Sequence, residues 1–125
     1  MDQTAMARKA FAHDAVVAMR DDASPNALGG AITKALCGSW DHQPPCPLAP
    51  HHVSSTPAGG LVAVRVVFAT EPSHEQRVRT LIGDALAAGR LDVPDGGIAR
   101  WELRSATASS VRTDEHDLAA HLVEH

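Results

Sequence analysis

Apolar and polar positions divide the chain into seven elements. The most regular is Leu61–Ala69, where β-branched residues run almost unbroken, with Val62, Val64, Val66 and Phe68 on one face and Leu61, Ala63, Arg65, Val67 and Ala69 on the other. Such a run belongs in the middle of a sheet. Ile98 to Arg104 alternates, with Trp101 and Leu103 on one side and Arg100, Glu102 and Arg104 on the other. This is the pattern of a strand covered on one face. Ser105 to Arg112 is small and polar, either an extension of that strand or a surface segment. Asp14 to Arg20 is a short apolar run ended by Asp21-Asp22. It reads as an interior strand in view of the helix that follows, although Phe11, Ala15, Ala18 and Met19 would also share a helix face. His51 to Thr56 reads as an edge strand, and Pro57-Ala-Gly-Gly60 as a turn.

Three stretches carry the helical period. Ser24-Pro25 supplies an N-cap and a proline at the first helical position. Behind it Leu28, Ala31, Ile32, Ala35 and Leu36 form one apolar stripe that ends near Cys37-Gly38. Gly29 and Gly30 each weaken this helix by roughly 1 kcal/mol relative to Ala, so packing must supply its stability. Thr70 to Gln76 opens a second helix with a capping residue, a proline and early acids. Its stripe is Val78, Leu81, Ile82, Ala85 and Leu86, and Gly89 closes it. A Gly/Pro/Asp loop from Asp92 to Gly97 follows, and Thr113-Asp-Glu then caps a short last helix built on Leu118, Ala119, Leu122 and Val123. Residues 1–13, polar and Ala-rich, are expected to be a flexible N-terminal arm, leaving 14–125 as a single α+β domain. The order strand, helix, strand, strand, helix, strand, helix is the split βαβ pattern of a ferredoxin-like sandwich. The expectation is a four-stranded antiparallel sheet with helices on one face and an extra C-terminal helix. The other face is left to a partner or to the chain's own ends.

Composition narrows the function classes. The chain has 125 residues, 44% of them hydrophobic but largely Ala and Val, with two Trp, two Phe and no Tyr. The core should therefore be small-residue packing, with Trp40 and Trp101 as the large flat surfaces. Net charge is −4 and the arginines are scattered among acids, so the basic patch of a nucleic-acid binder is missing and no nucleic-acid partner is expected. Gly and Pro interrupt every apolar stretch well short of the ~20 residues of a membrane span. Met1 to Arg20 lacks the continuous apolar core of a signal peptide. A cytoplasmic protein, without a membrane partner, is the expectation.

The candidate chemistry lies in Cys37 to His52, which holds both cysteines, three of the eight histidines and four prolines. Thiolate and imidazole are the donors Zn(II) prefers, and four of them in a tetrahedron make a closed structural site. Cys37, His42, Cys46 and one of His51 or His52 would supply the set, with the prolines lowering the entropy lost in wrapping the loop. The spacings match no zinc-finger module, and Cu(I) or Ni(II) also suits such donors. Reduced thiols go with a cytoplasmic location. In an oxidising compartment Cys37 and Cys46 would instead close a disulfide loop. The plainest reading is that Cys37 is a small buried hydrophobe and the histidines lie on the surface.

Other histidines carry weaker signals. His121 and His125 share a helical spacing of four, near His116, but with no third ligand close in sequence they read as a solvated face. His74 sits in a first helical turn and reads as surface. For catalysis, no Gly-x-Ser-x-Gly elbow surrounds a serine and no phosphate-binding glycine motif is present. A closed zinc would leave no position for water, so an enzyme is the less expected outcome. With three ligands only, Asp41 would be the neighbouring carboxylate and a hydrolytic role would return.

The Cys-Gly-Ser-Trp-Asp-His and Cys-Pro-Leu-Ala-Pro-His-His segments, with the Ala/Arg/Val/Asp-rich composition, resemble small uncharacterised proteins of high-GC actinobacteria. That likeness is compositional and implies no activity. The residues themselves suggest a small non-catalytic metal-binding protein, its loop holding zinc, that acts as a homodimer or as an accessory subunit of a complex. The alternative is a dimeric ferredoxin-like small-molecule binder or a metal-dependent enzyme, with a pocket near Trp40 and Trp101.

Overall fold

The computed structural model describes residues 8–20, 26–37, 49–92 and 97–124. Five strands and three helices follow one another as β1 (Lys9–Met19), α1 (Asn26–Cys37), β2 (His51–Ala58), β3 (Leu61–Thr70), α2 (Glu75–Ala88), β4 (Arg90–Asp92), β5 (Ile98–Ser109) and α3 (His116–Glu124). The strands form one sheet in the order β2-β3-β1-β5-β4, and every pairing is antiparallel. The protein is thus a mixed α+β structure with a single five-stranded antiparallel sheet.

Two expectations need correction. The sheet has five strands rather than four, because Arg90–Asp92 pairs with Ile98–Arg100 and buries Leu91 beside Ala99. The first strand also begins at Lys9 rather than Asp14. Lys9–His13, expected in the N-terminal arm, pair with Val66–Thr70 of β3. Phe11 lies beside Phe68 there, the ring centroids 5.6 Å apart, and burying that aromatic pair favours extending the strand.

The β3 alternation works as read. Val62, Val64, Val66 and Phe68 are buried in the main core beneath α1 and α2, with Leu28, Ile32 and Leu36 from α1 and Val78, Ile82 and Leu86 from α2. Burial of side chains of this size contributes roughly 1.5–3 kcal/mol each. Trp101 closes the core at the β5 side, its indole N–H donating to the Leu86 carbonyl at 2.8 Å. It is a packed core residue. On the opposite face of β3, Val67 and Ala69 form a second cluster with Leu122 of α3, flanked by Val111, Leu118 and Val123. The C-terminal helix therefore covers one end of the second face. Among the described residues no further element covers that face.

Two glycine positions fix chain reversals. Gly59 and Gly60 have φ +58° and +86° and close the β2–β3 hairpin in two residues, as primed turns do. Gly89, at φ +72°, caps α2 in the left-handed conformation, and its carbonyl accepts from the Trp101 N–H at 3.0 Å.

Candidate metal site and open sheet face

His51 opens β2, and alternation along the strand turns it and His52 to opposite faces. His51 lies opposite Phe68 and faces α1, whereas His52 lies opposite Val67 and is exposed. Both ring nitrogens of His51 are engaged. Nδ1 donates to the Ala49 carbonyl at 3.0 Å, and Nε2 accepts from the Thr33 hydroxyl at 2.9 Å. A hydrogen bond from Nδ1 to a backbone carbonyl fixes the tautomer and aims the Nε2 lone pair, here toward α1. Burial lowers the His51 pKa, opposed by the bond to Ala49 and reinforced by His52. The ring is accordingly neutral at physiological pH, the form that ligates metals.

Thr33 lies one helical turn before Cys37 in α1, so the two positions share a helix face. The fold thus brings Thr33 of α1 and the His51 ring together, four residues before Cys37 in the chain. His42 and Cys46 lie outside the described residues. His74, His116 and His121 are all exposed, and His125 lies outside the described residues. Among the described residues no group of three or more His, Cys, Asp and Glu side chains is gathered as a metal cage.

The second feature is the part of the sheet that α3 leaves open, a groove of about 410 Å³. Register places two cross-strand rows on it. One runs Ser54, Arg65, Asp14, Thr107, and the other Thr56, Ala63, Val16, Ser105. Hydroxyls thus flank a small apolar floor on one row and an ion pair on the other. Arg65 is saturated: Nε and Nη2 each donate to a Glu115 oxygen at 2.7 Å, Nη1 to both Asp14 oxygens at 2.8 and 3.0 Å and to Ser109 Oγ at 3.3 Å, and Nη2 to the Ser110 carbonyl at 2.8 Å. The Arg65 hydrogen bonds hold the Glu115 carboxyl down at about 2, outweighing the opposing effect of burial, with the Arg112 backbone N–H assisting. Burial pushes the Asp14 carboxyl up, but hydrogen bonds from Ser109 and Arg65 outweigh it and leave its pKa lowered. The sequence signal for this cluster was a single charge in the middle of an apolar strand, which needs a counter-charge close by.

A third cluster lies under α2. Arg79, 8% exposed, donates from Nη1 to the Ala12 carbonyl at 2.6 Å and to His13 Nδ1 at 3.1 Å, and from Nε to Glu75 at 2.8 Å. Its guanidinium lies 5.9 Å from the Phe11 ring centre and 5.4 Å from that of Phe68. Burial first, and Arg79 second, lower the His13 pKa, with Asp14 opposing.

No family model and no curated protein matches the chain. Among solved structures it is similar to a hydantoinase/carbamoylase family amidase from Burkholderia ambifaria, at 11% identity and a TM-score of 0.45, over 95% of this chain and 33% of that one. The chain thus spans about a third of that protein's length.

Proposed function

We propose that this is a small metal-binding protein in which His51 and Cys37, with His42 and Cys46 from the intervening loop, hold a transition metal, Zn(II) by donor type, and that it serves as a non-catalytic accessory or self-associating subunit of the cytoplasm. One observation carries the reading. The His51 ring is oriented through Nδ1 by a backbone carbonyl, and its Nε2 meets Thr33 of α1, four residues before Cys37 in the same helix. A metal would take the place of the Thr33 hydroxyl as the partner of Nε2. The competing account is that the Thr33–His51 bond merely pins β2 to α1.

Zinc stoichiometry of two single variants separates these accounts. His51→Ala should lose the metal, whereas His52→Ala, altered on the opposite face, should keep it. Equal zinc content in both variants would leave the Thr33–His51 bond a structural tie.

The order β2-β3-β1-β5 with α1 and α2 on one face supports a ferredoxin-like reading, to which β4 adds an edge strand and α3 a cover on the second face. The alternative, a small-molecule-binding protein, draws its support from the open groove lined by Ser54, Thr56, Ser105 and Thr107. A pocket at Trp101 is not available to it, because Trp101 is 5% exposed and packed.

A further inference from the structure

The two edges of the sheet are built differently. β4 is three residues long, and its Arg90 and Asp92 are both exposed and paired at 3.2 Å. A short, charged edge resists addition of another strand. At the other edge β2 runs eight residues in unbroken register with β3, and His51 to Ala58 contains no Asp, Glu, Lys or Arg.

The hairpin fixes which backbone groups of β2 look outward. The two-residue Gly59-Gly60 turn makes Ala58 and Leu61 the closing hydrogen-bonded pair, so Thr56, Ser54 and His52 bond to β3 in alternation. Pro50, in the same phase, accepts from the Ala69 N–H at 3.0 Å. The N–H groups of His51, Val53 and Ser55 therefore point away from the sheet. Pro57, which has no N–H to offer, falls in the same outward set, where proline is tolerated.

From this edge we infer that two copies of the protein pair through β2 in antiparallel fashion, joining their sheets into one. A two-fold axis at Val53 sets Val53 against its own counterpart and His51 against Ser55 of the second copy. That register engages all three outward N–H groups of each copy and leaves Pro57 beyond the paired stretch. Side chains agree with it: Val53 meets a second valine, His52 faces Ser54, and no like charges are opposed. The inference fixes the surface for the self-association proposed above and does not depend on the metal.

The test is the solution mass of the full chain by light scattering at micromolar concentration, with and without chelator, for the native protein, Ser55→Pro and Ser54→Asp. Ser55→Pro removes an outward donor and none of the β3 ladder. Ser54→Asp places its carboxylate beside Arg65 within one chain and, across the axis, opposite His52 and on the same face as its own counterpart, which lies diagonally about 7–8 Å away. The expected result is a native mass twice 13.2 kDa, unchanged by chelator, and half that mass for both variants with native circular dichroism. Should Ser55→Pro fail to fold, Ser54→Asp alone decides. A monomeric native protein overturns the inference, as does a dimer that both folded variants retain or one held by another face. Loss of the dimer on chelation alone would likewise overturn it, while supporting the metal reading.

Discussion

Arg65 ties the molecule together at a point where its sequence neighbours are all apolar. It draws Asp14 of β1, Ser109 and Ser110 at the end of β5, and Glu115 at the start of the last helix onto one guanidinium. Five donors in a fixed fork suit this better than lysine would. Glu115 also accepts from the Arg112 N–H at 2.9 Å, so one carboxylate both caps the turn before α3 and docks it. Glu115→Gln should cost roughly 1–2 kcal/mol, since it removes the charge from a bidentate pair while leaving Arg65 its bonds to Asp14. Urea denaturation measures the loss, and faster amide exchange confined to residues 116–124 would locate it at α3.

Proton linkage at the same residues has a definite sign. The Glu115 carboxyl titrates near 2 in the folded protein instead of 4.5, so its contribution is complete above pH 4.5 and disappears as pH falls toward 2. At about 1.4 kcal/mol per pKa unit this amounts to roughly 2 kcal/mol after solvent screening. His13 also has a folded pKa below its usual 6.5, so the unfolded chain binds its proton first and stability begins to fall below pH 6.5. Its Nδ1 lone pair accepts from Arg79, and protonation would put two buried cations in contact. Stability should therefore decline in two stages on acidification. In His13→Gln the loss that begins below pH 6.5 should become shallower, leaving the share of His51, whose pKa is also lowered. An unchanged slope there would contradict the buried pairing with Arg79.

At the scale of elements, legibility followed periodicity. β3, α1, α2 and α3 were readable because each carries an apolar stripe of its own: Val78, Ile82 and Leu86 are buried as expected, and Gly89 closes α2. β4 was not readable, since Arg90-Leu91-Asp92 is too short for a period and exists only because β5 offers it a partner. The start of β1 was missed for a related reason. Phe11 and His13 look like an Ala-rich arm until Phe68 and Arg79 are placed beside them. Arg79 stood in the sequence only as one of several arginines scattered among acids. Its burial depends on the Ala12 carbonyl, His13 and two phenyl faces, all remote in sequence. Gly89 gives a sharp test at this scale. A Cβ there would stand 2.7 Å from the Trp101 carbonyl oxygen in a left-handed backbone. Gly89→Ala should lower stability by about 2–3 kcal/mol, seen as a reduced urea midpoint with an unchanged slope. A loss under 1 kcal/mol would mean that the α2–β4 junction can shift.

At the scale of the whole molecule, one sheet is covered unequally. Its first face carries the main core under α1 and α2, while its second face has α3 over Val67 and Ala69 and an open hydroxyl-lined groove beyond. The sequence left that second face to a partner or to the chain's ends, and α3 meets the second option in part. The Cys37–His52 site was legible as chemistry, because clustered thiols and imidazoles need no fold to be noticed. Composition did not distinguish His51 from His52, and strand alternation does: the first faces α1 and the second is exposed. Thr33, the residue that holds His51 Nε2, carried no signal at all, because only packing of α1 on β2 brings the two together.

The account rests most directly on the metal. Elemental analysis of protein purified without a His tag, with thiol counts before and after chelation, tests it. The account predicts about one zinc per chain and two thiols that react only once the metal is stripped, in keeping with four protein donors around one ion. Metal-free protein with two freely reactive thiols would contradict it, and metal-free protein with no reactive thiols would replace it with a Cys37–Cys46 disulfide.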